Sequence, residues 1–283
     1  MCSSDLTRRN ADTFVVISPN GRRILTVFFA LFLVVLYLPT VLLIIFSFND
    51  GTVAAFPLQG LTTKYYGLAI HSEEIRQALW ASIRVAAGSA LVATIIALMA
   101  SYPLARRNVR GRSLISAMML VPLVVPTVVL GVALLILFQR GFIPVGLGLI
   151  QLALGHVIIA LPFAVLILLP RIASIDKRLE EAAYDLGASG WQMFRRVMLP
   201  LIFPSILSAY LIAFVFSIDE VVIAAFIAGD QPTYPVYLYS GLKFPEKTQT
   251  LIPVATVMIV VSFALAIAAE FIRRRGDRKL EGR

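Results

Sequence analysis

The stretch EEAAYDLGASGWQMFRRVMLP, residues 180–200, is polar and punctuated by glycine, yet it lies between two long apolar runs, HVIIALPFAVLILLP (156–170) and LIFPSILSAYLIAFVF (201–216). A merely hydrophilic connection needs no internal helix signals, and this one is full of them. Asp176 is placed to N-cap a first helix over KRLEEAAYDL, with Glu180 and Glu181 near its positive end. Gly187 comes next, where a left-handed residue would stop that helix. Ser189 and, three residues on, Gln192 fit a capping box that opens a second segment, GWQMFRRVM. Pro200 is expected to break this segment and admit the chain to the next apolar run. The spacing predicts a folded helical hairpin. Two roles are open to it: packing on its own bundle, or docking to something else.

The flanking runs set the class. Of 283 residues, 59% are hydrophobic and 14% charged, and the mean hydropathy is +0.87. A soluble domain of this length needs far more polar surface. A helix crosses the hydrocarbon with about 20 mostly apolar residues. Six stretches qualify: 24–48, 83–104, 114–138, 149–170, 201–228 and 250–272. None alternates apolar with polar as a barrel strand does, and a span must satisfy its backbone internally. An all-α, polytopic membrane protein with six transmembrane helices is expected. The first run is longer than a signal-peptide core of about 7–15 residues and lacks a small-x-small cleavage site, so it is expected to stay as an anchor.

A net charge of +9 could suggest nucleic acid, but the location of the charges argues otherwise. With the N-terminus inside, nineteen of the 25 Lys and Arg fall on the cytoplasmic side. They lie in the tail 1–23, the loop ARRNVRGR (105–112), the hairpin region 171–200 and the tail RRRGDRKLEGR (273–283). Lys64, Arg76, Arg140, Lys243 and Lys247 fall outside, and Arg84 stands at the mouth of the second span. This bias predicts cytoplasmic termini and a cytoplasmic hairpin on either side of a transmembrane domain at 24–272.

Between the spans, residues 49–82 open on a turn at Asn49, Asp50 and Gly51 and close on a helix start, Ser72 followed by Glu73 and Glu74. A short Gly- and Pro-rich turn covers 139–148. A second outer loop, 229–249, carries Tyr234, Tyr237, Tyr239 and Phe244. Pro39, Pro122, Pro126, Pro162, Pro204 and Pro253 interrupt the spans, each removing a backbone hydrogen bond. Enzyme signatures fail. GLKFPEKT (241–248) has Glu246 where a phosphate loop needs its second glycine. His71 and His156 are too far apart for a paired metal motif, and Cys2 is the single cysteine. His156, inside the fourth span, is expected to hydrogen-bond within the bundle.

The spacing in the hairpin goes further than its caps. Glu181-Ala182-Ala183, then Gly187, then Val197-x-Leu199-Pro200 resembles the E-A-A-x3-G-x9-I-x-L-P loop of permease subunits of bacterial binding-protein-dependent ABC importers, with Val197 where isoleucine is usual. The resemblance covers the chain from about residue 78 to 272. Within it, ALWASIRVA (78–86) has Ala81 where asparagine is common. FSIDEVVIAAFIAG (216–229) and TYPVYLYSGLKF (233–244) are most similar to the spermidine/putrescine-type permeases. The resemblance implies a type I importer bundle in the bacterial inner membrane, forming half of a solute pathway. It implies a coupling loop at 171–200, with Glu181, Ala182, Ala183, Gly187, Leu199 and Pro200, that docks into a separate ABC ATPase. ATP would be used by that partner, and no cofactor is expected in this chain. A sister permease and a periplasmic solute-binding protein complete the implied assembly. The competing reading is a self-sufficient secondary transporter or channel, which the loop spacing and the scarcity of buried titratable groups disfavour.

Two carboxylates stand in the fifth span. Asp219 and Glu220 lie some eighteen residues from its inner end, about 27 Å at 1.5 Å per residue, hence in the outer half. Charges there face a cavity or a partner. One reading makes Asp219 and Glu220, with Tyr234 and Tyr237 of the nearby loop, part of a pathway for a cationic solute. The other pairs a carboxylate with Arg84 or with the sister subunit. Glu270, beside Arg273 and Arg274, reads as a solvated anchor.

Overall fold

A computed structural model describes residues 19–51, 54–140 and 148–281. Cys2, the N-terminal tail through residue 18 and most of the 139–148 turn lie outside the described residues. Among those described, the chain is helical, with no strand beyond one isolated bridge between Asn49 and Leu61. Two units separate at residue 46. The first contains α1 (Pro19–Phe46), which begins five residues ahead of the expected first span and carries Pro39 within it.

The second unit is built on α3 (Glu73–Arg106), α6 (Leu149–Ser174), α9 (Leu199–Ile218) and α12 (Pro245–Glu281). Lipid offers no hydrophobic drive for helix association, so these helices must meet through close packing and polar contacts. The sequence of α3 provides for that. Ala78, Ser82, Ala86, Ser89, Ala93, Ala97 and Ser101 recur at helical spacing and form one buried face of small side chains. Ala90, Ala93, Ala160 and Ala213 bring α3, α6 and α9 together at one place. Just beyond, Ser217 Oγ lies 2.8 Å from Ser89 Oγ and 2.9 Å from Nδ1 of the fully buried His156. This node binds the same three helices, and it satisfies the expectation for His156. At the opposite end, Arg171 donates from Nη2 to the carbonyls of Leu201 and Gly276, at 3.0 and 3.1 Å. Gly276 permits that approach, since a Cβ there would lie 3.0 Å from Pro204 Cβ.

Ser72 caps α3, its Oγ accepting from Ile75 N. A short helix not anticipated from the sequence, α2 (Lys64–His71), precedes it. Among the described residues, five helices are long and apolar enough to span a membrane, and a sixth span results if one bent pair counts as one.

That pair corrects the expected third span. It is broken into α4 (Arg112–Val124) and α5 (Thr127–Gln139), which meet at 100°. Pro126 has no N–H to give and forces Val125 into an extended conformation, so one straight helix is impossible there. The pair still leads from one end of the bundle toward the other. It starts beside the end of α3 at Arg106, and α6 starts at the other end, where Leu149 shares a cavity with Glu74.

The fifth span is corrected too. It ends at Ile218, and residues 222–227 form a separate helix, α10 (Val222–Ile227). The start of a new helix leaves backbone N–H groups free for a capping carboxylate, which an unbroken helix would not. The Glu220 carboxylate takes one, accepting from Ile223 N at 2.9 Å.

Candidate functional site

The hairpin forms as its capping residues require. Its first helix, α7 (Arg178–Asp185), has Lys177 at its N-cap rather than the expected Asp176, which lies one residue before and whose Oδ1 accepts from Arg178 N at 2.9 Å. Gly187 ends it at φ +80°. Ala188 N donates to Ala183 O at 3.0 Å and Gly187 N to Tyr184 O at 2.9 Å, the paired bonds of a Schellman stop. Ser189 and Gln192 then make the expected reciprocal box, at 3.3 and 2.9 Å, and start α8 (Gly190–Met193).

Pro200 does not break the second segment of the hairpin. A π-helical turn, Phe194–Met198, leads into α9, and Leu199 N bonds five residues back to Phe194 O. Widening the turn gives the proline ring the room that a regular helix would deny it. The hairpin is therefore continuous with a membrane-crossing helix, and Leu199 and Pro200 lie on the shaft rather than at a joint. Rigid connection is the mechanical consequence.

Its two faces differ. Ala183, Met193 and Met198 are buried against Ala97, Leu168 and Ile172 of the bundle. Tyr102 and Phe194 meet edge to face at 5.4 Å between centroids. Leu179 and Ala182 on α7 and Leu186 at its C-cap, at helical spacing, point away; Leu186 is 89% exposed, and Trp191 beyond it is 67% exposed. Glu181 and Gly187 are exposed as well. Of the paired alanines singled out for close approach, Ala182 faces outward and Ala183 belongs to the chain's own core.

One contact was not anticipated. Arg106, the last residue of α3, pairs through Nε with Glu180 Oε1 at 2.8 Å, and its Nη1 donates to Ile175 O at 2.8 Å. The Arg106 side chain is 4% exposed and that of Glu180 15%. Arg106 reads in the sequence as a topology charge and Glu180 as a helix-dipole charge. Their pairing across 74 positions leaves no local signal.

At the far end of the bundle, the four candidate pathway residues are not brought together. Asp219 ends α9, exposed, with only a 3.4 Å bond from Ser262 Oγ to its Oδ1. Glu220 is committed to capping α10. Neither pairs with Arg84 among the described residues, which removes that ion pair within this chain. Tyr234, in α11 (Tyr234–Gly241), is fully buried. Its N–H donates to Ser82 Oγ at 2.8 Å and its hydroxyl to Leu251 O at 2.6 Å. It is a tether and offers no surface to a solute. Tyr237 lines a cavity of about 610 Å³ walled by the start of α3, and its hydroxyl donates to Glu74 Oε2 at 2.5 Å. Burial, then the Glu74 carboxylate, push that phenol up to about 12, so it stays protonated and donating. Asp219 and Glu220 do not line this cavity. Glu270 is half-exposed and paired with Arg273 and Arg274, as an anchor should be.

The family described as binding-protein-dependent transport system inner membrane component matches residues 93–280. The chain belongs to that family. It is the permease component of an ABC importer, a membrane subunit rather than an enzyme. The spermidine/putrescine transport system permease protein PotC of Escherichia coli (strain K12) is 34% identical to this permease over 84% of this chain and 89% of its own. The putrescine transport system permease protein PotI of the same strain is 30% identical, over 86% and 88%. Among solved structures, a bacterial ABC transporter for import of the acidic polysaccharide alginate shares the fold at TM-score 0.65 and 17% identity, covering 90% of this chain and 94% of that one. The MetNI methionine ABC transporter aligns at TM-score 0.59 and 19% identity, covering 72% and 99%. The permease is thus related to polyamine permeases and has the architecture of importer membrane subunits.

Proposed function

We propose that this permease forms half of a pathway for a small organic polycation, with transport driven by a separate ATPase that pushes on the 176–198 hairpin. The observation that carries the reading is the outward stripe Leu179–Ala182–Leu186 with Trp191. Apolar side chains on a rigidly capped element outside the spans mark a protein interface. ATP binding and hydrolysis belong to that partner, and no cofactor is assigned to this chain. Both termini and the hairpin are placed in the cytoplasm, as the charge bias supports. A sister permease supplies the other half of the pathway, and a periplasmic binding protein delivers the solute at the far end. The polyamine names of its relatives support the choice of solute, as does the exposed carboxylate of Asp219.

Uptake assays with labelled putrescine and spermidine test the solute. Asp219→Asn is expected to lower uptake about ten-fold while membrane level and ATPase assembly stay normal, as for loss of one charge-assisted contact. Glu220→Gln keeps an oxygen acceptor for Ile223 N, so it is expected to change uptake less than two-fold, within roughly 0.5 kcal/mol. Unchanged uptake in the Asp219→Asn protein would remove the polycation reading.

A further inference from the structure

The cavity at Tyr237 continues into a second one. A groove of about 340 Å³ runs between α3 and α6 along Gly88, Val92, Ala153 and Val157, and Arg84 and Leu149 belong to both spaces. The wide space is polar and the groove apolar, with Arg84 at their junction. Depth adds a second constraint. From Val85 to Ala105 α3 carries no charge; these residues span about 31 Å at 1.5 Å per residue, the thickness of the hydrocarbon. Arg84 therefore lies at the hydrocarbon boundary, where phosphates of the leaflet remote from the hairpin reside. Trp80, one turn further out and 52% exposed, is at the interfacial level that tryptophan favours.

We infer that this composite space is a binding site for a phospholipid with a primary-ammonium head group. One acyl chain fills the groove, the phosphate meets Arg84, and the ammonium lies among Asp230, Glu74 and Trp80. Charge complementarity selects this occupant. Arg76 is spent on Glu73, whereas Arg84 and Asp230 have no ion-pair partner among the described residues. Among the described residues the space thus offers an unpaired cation, Arg84, at the phosphate level, and the carboxylates of Asp230 and Glu74, outside any ion pair, for the ammonium. A polycation would meet Arg84, and an anionic head group would meet Asp230 and Glu74. A zwitterion satisfies both.

The test uses the full-length chain, stripped of lipid in detergent and reloaded with phosphatidylethanolamine or phosphatidylglycerol. Bound lipid is read by mass spectrometry of the intact complex. Phosphatidylethanolamine should be retained about ten-fold over phosphatidylglycerol, and Arg84→Gln should cut that retention about ten-fold, the worth of one charge-assisted hydrogen bond. Asp230→Asn should erase the preference between the lipids. A side chain at Gly88 meets open space, so Gly88→Phe plugs the groove without touching the core and should reduce retention of both lipids. Circular dichroism confirms that each variant keeps its helices. Equal retention of the two lipids by the unaltered protein, or full retention by both Arg84→Gln and Gly88→Phe, would overturn the site.

Discussion

Replacing Gly187 with valine should abolish solute uptake while leaving the permease inserted in the membrane. At φ +80° a residue with a Cβ costs about 1–2 kcal/mol, and β-branching raises the cost. No atom lies within 4 Å of where the Cβ would sit, so the penalty is conformational rather than steric. Relief requires dropping the bond from Ala188 N to Ala183 O, which unhooks α7 from α8 and displaces Leu186. The effect is expected to track left-handed tolerance: Gly187→Asn mild, Gly187→Ala intermediate, Gly187→Val at least about ten-fold in uptake. Uptake into intact cells or right-side-out vesicles, normalised to permease content, gives the ranking. Normal uptake by the valine protein would remove the hairpin from the mechanism.

The second large effect is expected at Glu180. Changing it to lysine sets a like charge against the buried Arg106 guanidinium, and breaking a buried pair costs about 3–5 kcal/mol. The hairpin should detach from the end of α3, seen as proteolysis within 176–198 and loss of uptake. Arg106→Glu combined with Glu180→Lys should restore part of both. Glu181→Lys provides the contrast: Glu181 is exposed on the outward side, so that variant should keep its protease resistance and lose uptake through the partner alone. Wild-type uptake by Glu180→Lys would show that the pair does not transmit the push.

The sequence and the structure agree most where chemistry is local. The caps at Ser72, Ser189 and Gln192 and the stop at Gly187 each depend on residues within three or four positions, so their types declare the geometry. Apolar length reveals the spans for the same reason. Prolines are harder to read, because their effect depends on how much the neighbouring backbone can absorb. Pro126 breaks its span, whereas Pro200 is accommodated by a π turn that no residue type announces. The pathway candidates rest on charge and aromaticity alone. Tyr234 is instead a buried tether, because Ser82 and Leu251 are brought to it by helices distant in sequence. Arg106 and Glu180 are hidden likewise, each having an adequate local explanation. In the 219–228 segment, the apolar pattern outlasts α9, and Glu220 instead caps a new helix, α10.

The central claim is that the hairpin's outward face meets a separate ATPase. A photo-reactive residue at position 186, where Leu186 is 89% exposed, tests it directly in cells expressing the whole transport system. The expected result is a cross-link to a soluble nucleotide-binding subunit, lost when Gly187→Val is combined with it and retained with Asp219→Asn. A cross-link only to lipid, or to the permease's own helices, would contradict the claim.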